Sequence, residues 1–246
     1  MKQTLLTVTE NTPVAENTFR MRLAGDVSAV TAPGQFVNLR VENGFLRRPI
    51  SVCDYDAETL TLLYRVVGRG TKWLCGLRPG AALDALTGLG NGFDLAAAGS
   101  SPLLVGGGIG SAPLYALARF LRMRGADVFA VMGFRTEAEA FYEEEFRALG
   151  CRVTVVTENG GRGVKGLVTD ALPEGCTQLY ACGPLAMLRA LYRATELPGQ
   201  FSLEERMGCG FGACMGCTCE TTQGAKRVCR EGPVFRREEL KWQIRA

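Results

Sequence analysis

Cys209, Cys214, Cys217 and Cys229 are the residues of this 246-residue chain whose type and spacing point most directly to chemistry. Four residues separate the first two, two separate the second from the third, and eleven precede the last. Thiolates at CxxxxCxxC plus a distant fourth match the ligand spacing of plant-type 2Fe-2S sites. The surrounding "MGCGFGACMGC" supplies Gly208, Gly210, Gly212 and Gly216, whose missing Cβ lets a loop wrap a small inorganic core and aim its N–H groups at sulfur. The chain has no histidine, which excludes a Rieske site and the mixed Cys/His zinc sites. A structural zinc held by four cysteines stands as the alternative, although such sites favour two CxxC pairs and only Cys214 and Cys217 form one. Cys219 falls outside the four-cysteine spacing and reads as a neighbour of the site. Cys53, Cys75, Cys151 and Cys176 are scattered and read as small buried hydrophobes.

Two glycine-containing segments offer a different chemistry. "LLVGGGIGSAP" (103–113) is a buried strand running into a glycine turn and a helix start, which presents backbone N–H groups to a pyrophosphate. The dinucleotide fingerprint GxGxxG is incomplete, because Pro113 stands where the third glycine would be, so a tight turn without ligand is the competing reading. The P-loop signature is missing, which leaves nucleotide hydrolysis unsupported. Upstream, "RRPISVCD" (47–54) offers an arginine and a hydroxyl at the end of a predicted strand. "RVVGRGTKWL" (65–74) offers Gly68 and Gly70, with Thr71 expected as the N-cap of a helix. Taken singly, Arg47 and Arg48 read equally as a solvated surface pair and Pro49 as an edge-strand terminator. Arg135, just after the strand in "VMGFRT", fits either a ribose phosphate or a solvated loop.

The elements that must carry these residues fall into three stretches. Residues 1–97 alternate short β-rich runs with turns, the pattern of a small antiparallel barrel or sandwich. Residues 98–200 alternate strands and helices, predicting a parallel sheet with covering helices; "EAEAFYEEEFRALG" (137–150) and about 184–195 are two of the expected helices. Residues 201–246 show little apolar periodicity and are expected to be held by something other than a core. Lys and Arg number 28 against 25 Asp and Glu, a net charge of +3, which argues against a nucleic-acid partner. Residues 95–118 carry no charge, but their prolines and glycines argue for strand, turn and helix over a membrane span. The N-terminus lacks a signal-peptide core, so a cytoplasmic protein is expected. In that reducing compartment clustered cysteines imply a metal or redox group.

In chain order, "RRPISVCD", "VVGRGTKWL", "VGGGIGSAPL", "GVKGLVTDAL", "YACGPLAML" and "SLEERMGCGFGACMGC" with "VCREGPVF" resemble one family over essentially the whole chain. It is that of the iron-sulfur flavoprotein electron-transfer subunits of NAD-linked dihydroorotate dehydrogenase, within the ferredoxin-reductase superfamily. The resemblance implies an α+β and α/β chain: an N-terminal antiparallel β-barrel FAD domain, a central parallel-sheet α/β NAD domain and a small C-terminal 2Fe-2S segment. It places Arg48, Pro49, Ile50 and Ser51 around the isoalloxazine and its phosphates, and Gly70 and Thr71 on the FAD pyrophosphate. Gly107, Gly108 and Gly110 would underlie the pyrophosphate of NAD(H), and Cys182, Gly183 and Pro184 would lie near the nicotinamide, with Ser51 and Cys182 at the reacting centre. A plainer reading of Cys182–Pro184 is that it only starts the next helix. The four cysteines would hold the cluster.

The implied partner is an FMN-containing catalytic subunit that oxidises dihydroorotate, in an assembly of two of each subunit. A hydride donor gives two electrons and a 2Fe-2S centre takes one at a time, so a flavin belongs between them. Flavoprotein subunits of ferredoxin:NADP oxidoreductases and sulfide dehydrogenases share this core, but their first cluster position tends to be aspartate, where this chain has Cys209. A zinc-stabilised, non-catalytic module on the same core is the alternative of another class.

Overall fold

In the first strand, β1 (Lys2–Ala15), Leu6 and Val8 point inward while their neighbours Leu5, Thr7 and Thr9 are exposed, the period-2 pattern of a half-buried strand. Alternation recurs in β2 (Thr18–Ala24), the opening of β5 (Thr59–Arg65) and β6 (Ala82–Leu89), whereas β3 (Phe36–Leu39) is buried throughout and β4 (Arg48–Tyr55) is half-buried over its first four residues. A computed structural model, which describes residues 1–42 and 44–242, closes these strands into an antiparallel barrel in the order β1-β2-β5-β4-β3-β6. Met21, Leu23, Val37 and Leu62 join Leu6 and Val8 in its interior. Closure decides between barrel and sandwich, and it leaves no sheet edge. Pro49 therefore terminates nothing: it lies within β4 opposite Asn38 of β3.

Helix α1 (Arg69–Cys75) follows β5. Thr71 is not its N-cap, as expected from sequence; Gly68 is. Thr71 stands one turn in, where its hydroxyl accepts from the N–H groups of Val67 (2.9 Å) and Gly68 (3.2 Å) and donates to the Gly68 carbonyl (3.1 Å). The Thr71 hydroxyl thus reaches back to the N–H of the N-cap residue, as the third residue of a capping box does.

The second unit is built from β7 (Pro102–Gly107), α2 (Pro113–Met123), β8 (Phe129–Phe134), α3 (Glu143–Ala148), β9 (Arg152–Thr157), β10 (Val164–Lys165), β11 (Gln178–Cys182), α4 (Leu185–Ala194) and β12 (Gly199–Ser202). Every residue of β7 is buried, as a central parallel strand covered on both faces requires. Helix α2 opens on Pro113 and buries Leu114, Leu117, Ala118 and Leu121, one stripe at helical spacing. The uncharged stretch 95–118 is thus strand, turn and helix, and among the described residues no helix is long and apolar enough to cross a membrane.

The helix expected over 137–150 is broken. A 3-10 turn covers Glu137–Glu139, Tyr142 takes a left-handed φ of 63°, and only Glu143–Ala148 is α-helical. Both Phe141 and Tyr142 are buried, the first against Phe134 and the second against Tyr115. The left-handed turn at Tyr142 sends the two rings to separate partners before the α-helix begins.

The C-terminal stretch also departs from expectation, because it has a core. After the hairpin β13 (Thr218–Thr221) and β14 (Gly224–Arg227), β15 (Val234–Arg236) pairs antiparallel with β12 and completes a sheet ordered β10-β9-β8-β7-β11-β12-β15. Cys217, Val228, Cys229, Phe235 and Leu240 join the apolar cluster under that sheet. Periodicity misses this because the burying residues come from a loop, a short strand and a turn, with no single repeat. Of the four scattered cysteines, Cys53 and Cys151 are buried as expected, whereas Cys75 and Cys176 are only half-buried.

Candidate functional site

The strand order reverses between β7 and β11, which lie side by side with Gly106 opposite Cys182. In open parallel sheets, the crevice beyond the carboxyl ends at such a point is where ligands bind. Here it is a cleft of about 370 Å³. Gly107 and Gly108 line it: a Cβ on Gly107 would stand 2.4 Å from Sδ of Met187, and Gly108, at φ +53°, has open space where a Cβ would be. Gly110 does something else. It is buried, does not line the cleft, and packs so closely on the next strand that a Cβ would stand 2.4 Å from the Cys182 carbonyl oxygen.

The Cys182–Pro184 segment starts the next helix, as the plainer reading has it, and of its three residues Pro184 lines the cleft. Gly183, at φ +155°, turns the chain out of β11, and Pro184 is the N-cap of α4 while also lining the cleft. Cys182 itself is buried, and burial pushes its thiol well up, so it stays neutral. At the outer end of the cleft Arg135 is exposed, as its solvated reading expects, and pairs there with a carboxylate. Its Nε donates to both oxygens of Glu139, at 3.1 and 3.2 Å, and Glu139 also takes Arg65 at 2.7 Å. The Arg135 contact holds the Glu139 carboxyl below its usual range against the opposing effect of burial. Glu158 adds a second carboxylate to the same lining.

On the barrel, Arg48, Pro49, Ile50 and Ser51 are all half-exposed although β4 has neighbours on both sides, so the opening half of the strand forms an uncovered strip. Arg48 lies over Gly70, where a Cβ would stand 2.3 Å from its Nε. Arg47, expected to share its fate, is instead fixed on Asp84 at 3.0 and 2.9 Å. Two contacts set the strip beside the cleft. Helix α2 packs on β4, where Arg119 Nε donates to Asp54 at 2.9 Å and Nη2 to the Tyr55 carbonyl at 2.8 Å, and the turn Gly108–Ser111 packs on β5.

The cysteines come together as two pairs. The Cys209 N–H points at Cys214 Sγ and the Cys214 N–H at Cys209 Sγ, each at 3.4 Å, with the Ala213 N–H on Cys209 Sγ at 3.2 Å. The Cys229 N–H points at Cys217 Sγ at 3.4 Å. Burial pushes the Cys209 thiol up, but the N–H groups of Phe211, Cys214 and Ala213, with the Cys214 thiol, more than offset this and bring it to about 6. Burial, and then the Cys217 thiol, push Cys229 up. One pair is therefore buried, and the other half-buried to exposed. Cys219 lies on β13 opposite Lys226, outside both pairs. Arg227, which sequence reasoning passed over, ties the loop down by donating to the Gly212 carbonyl at 2.6 Å and to Glu231 at 3.0 Å. Asn38 was missed too: its side chain donates to the Cys209 carbonyl at 2.9 Å. The only signal for it was a polar residue inside the apolar run "FVNL".

These residues fit the groups that the sequence implies. Two thiol pairs suit a two-iron cluster, in which each iron takes two thiolates. The glycine-floored cleft opens at the strand ends, where a pyrophosphate would seat, and the strip on β4 can receive a flat ring. Barrel, switch-point cleft and cysteine loop together define an oxidoreductase of the ferredoxin-reductase fold that carries its own iron-sulfur segment.

Comparison with known proteins narrows the class. Residues 204–241 match the iron-sulfur cluster binding domain of dihydroorotate dehydrogenase B, and residues 104–193 match the oxidoreductase NAD-binding domain. The chain is 46% identical over 250 residues to the dihydroorotate dehydrogenase B (NAD(+)) electron transfer subunit of Bacillus caldolyticus, covering 96% of this chain and 97% of the relative. With that of Geobacillus sp. (strain WCH70) it shares 45% over 255 residues, 98% of this chain and 99% of the other. Among solved structures, a chain of an NADH-dependent reduced ferredoxin-NADP oxidoreductase superposes with a TM-score of 0.86 at 31% identity, covering 97% of this chain and 90% of that one. Amycolatopsis cytochrome P450 reductase GcoB gives 0.67 at 28%, covering 78% and 65%. The chain belongs to the family of dihydroorotate dehydrogenase B electron transfer subunits. FAD, a 2Fe-2S cluster and NAD(H), the cofactors expected from sequence, are the set these matches support.

Proposed function

We propose that the chain passes electrons between NAD(H) and a separate dihydroorotate-oxidising subunit, with FAD on the β4 strip and the cluster on Cys209, Cys214, Cys217 and Cys229. When bound, the flavin accepts a hydride's two electrons and the cluster carries them singly. The chain's own residues bind and orient. Gly107, Gly108 and Pro184 shape the floor on which the dinucleotide lies, with Gly110 and Gly183 holding that floor against β11. Neutral Cys182 lies buried beneath the glycine turn at the end of β11, where it supports the site and is not a nucleophile. Ser51 offers its hydroxyl to the flavin ring, while Arg48 and Gly70 face the FAD phosphates with Thr71 keeping their turn in shape. The units 1–97, 98–200 and 201–246 divide these tasks.

The observation that carries the reading is the asymmetry of the thiol pairs: Cys217 and Cys229 are sunk in the core while Cys214 is exposed. A carrier wired inward at one end and open at the other suits transfer to a second protein. Phe211 and Met215 in the same loop expose apolar side chains there. We take this face as the docking surface for an FMN-containing catalytic subunit, two copies of each forming the cytoplasmic assembly. NADH is the preferred nucleotide in this reading, because Arg135 is engaged by Glu139 and Glu158 lines the same cleft, which sets two carboxylates against a 2′-phosphate. The test is to purify the chain alone and with a co-expressed catalytic subunit. Alone it should reduce an artificial dye with NADH and leave dihydroorotate untouched; dihydroorotate oxidation by the isolated chain would refute the division of labour.

A further inference from the structure

Asn38 lies in the middle of β3 with 1% of its surface exposed, between the core residues Val37 and Leu39. Its Nδ2 donates to the Cys209 carbonyl oxygen at 2.9 Å, and a Cβ on Gly210 would stand 2.4 Å from that nitrogen. Its Oδ1 is buried with no hydrogen-bond partner among the described residues. Burying an unsatisfied carbonyl is costly, and a leucine of similar size would fill the same space without that cost. Packing therefore does not account for an amide here. What the amide adds is a donor to the first cysteine of the cluster loop. Asn38 also faces Pro49 across the β3–β4 ladder, so the same residue borders the strip assigned to the flavin.

We infer that Asn38 is a positioning residue that holds the cluster loop against the flavin-bearing wall of the barrel, fixing the Cys209 peptide and thereby the equilibrium and rate of electron passage between flavin and cluster. The inference rests on Cys209 being a cluster ligand. Asn38 itself exchanges no atom and no electron. Its donor withdraws charge from the Cys209 carbonyl and prevents the glycine loop from swinging away, and Gly210, at φ +78°, allows the close approach from the loop side.

The test uses the purified, cofactor-loaded chain and its cluster-free form. Asn38→Leu and Asn38→Asp keep the size and remove the donor, and Gly210→Ala pushes the loop off the amide from the other side. In the loaded chain, spectroelectrochemical titration should show the flavin–cluster equilibrium displaced about three- to tenfold, the scale of one neutral hydrogen bond. Stopped-flow traces should place the slowing on the flavin-to-cluster step, not on the NADH-to-flavin step. In the cluster-free chain, hydrogen exchange across residues 209–214 should rise in all three variants. The double variant Asn38→Leu/Gly210→Ala should add little to either single one, because both break one contact.

If Asn38→Leu fails to fold, Asn38→Asp and Gly210→Ala carry the test. A lowered melting temperature with the equilibrium, the step and the exchange all unchanged would overturn the role. Cys209→Ala, which leaves no ligating atom, separates this from the reading beneath it. Iron and sulfide retained in that variant would remove Cys209 as a ligand and the inference with it. Their loss, alongside silent Asn38 variants, would overturn the role of Asn38 alone.

Discussion

Glu139 accepts a hydrogen bond from Arg65 at 2.7 Å and so ties barrel strand β5 to the mouth of the nucleotide cleft, while its other contact clasps Arg135. One carboxylate thus sets both a domain junction and the charge of the cleft. Glu139→Gln should free Arg135 and raise the ratio of kcat/KM for NADPH over NADH by about 10- to 100-fold, the scale of a charge-assisted hydrogen bond to phosphate. Steady-state kinetics with both nucleotides reads it, and an unchanged ratio rejects the assignment. The pH dependence has a definite sign. Arg135 holds the Glu139 carboxyl below its usual range, so its contribution is complete above the ordinary carboxylate pKa and fades as pH falls through the lowered value. Glu139→Gln should melt below the parent chain at neutral pH, with the gap closing in acid.

Gly110 touches the Cys182 carbonyl more closely than any side chain permits. Gly110→Ala must therefore push the glycine turn away from β11, at a cost of about 1–3 kcal/mol for an overpacked site. Flavin reduction by NADH should slow tenfold or more, since a displacement of about 1 Å can cost about 100-fold in rate, while cluster absorbance persists. Stopped-flow absorbance distinguishes the two chromophores.

Cys214→Ser should remove cluster absorbance and acid-labile sulfide, because the exposed pair then has one sulfur. FAD should stay bound, since the β4 strip holds no cysteine ligand. Loss of both cofactors together would mean that loop and barrel do not fold separately.

Ser51→Ala should slow flavin reduction by roughly 10- to 1000-fold if the hydroxyl bonds the reacting ring, the scale of one positioned hydrogen bond. The half-exposed setting of Ser51 on β4 makes this a test of chemistry and not of folding. A melting temperature equal to the parent's, with an unchanged rate, would leave Ser51 no role.

Much of this protein is legible in its residues. Cysteine spacing announces the cluster because its ligands lie on a short loop, where sequence distance approximates spatial distance. The glycine turn after β7 and the alternation of β1 are equally local, so strand, turn and barrel wall follow from periodicity and backbone sterics. Tertiary structure alone decides the rest. Tyr142 breaks a helix to seat a ring in a core whose other members come from distant elements. The C-terminal stretch buries apolar residues because β15 finds an edge at β12. Asn38 and Cys209 stand 171 positions apart, and nothing in either neighbourhood predicts their contact. Such pairs exist only because the strand order brings them together, and strand order is set by the closure of the barrel and the packing of the sheet, which no local pattern encodes.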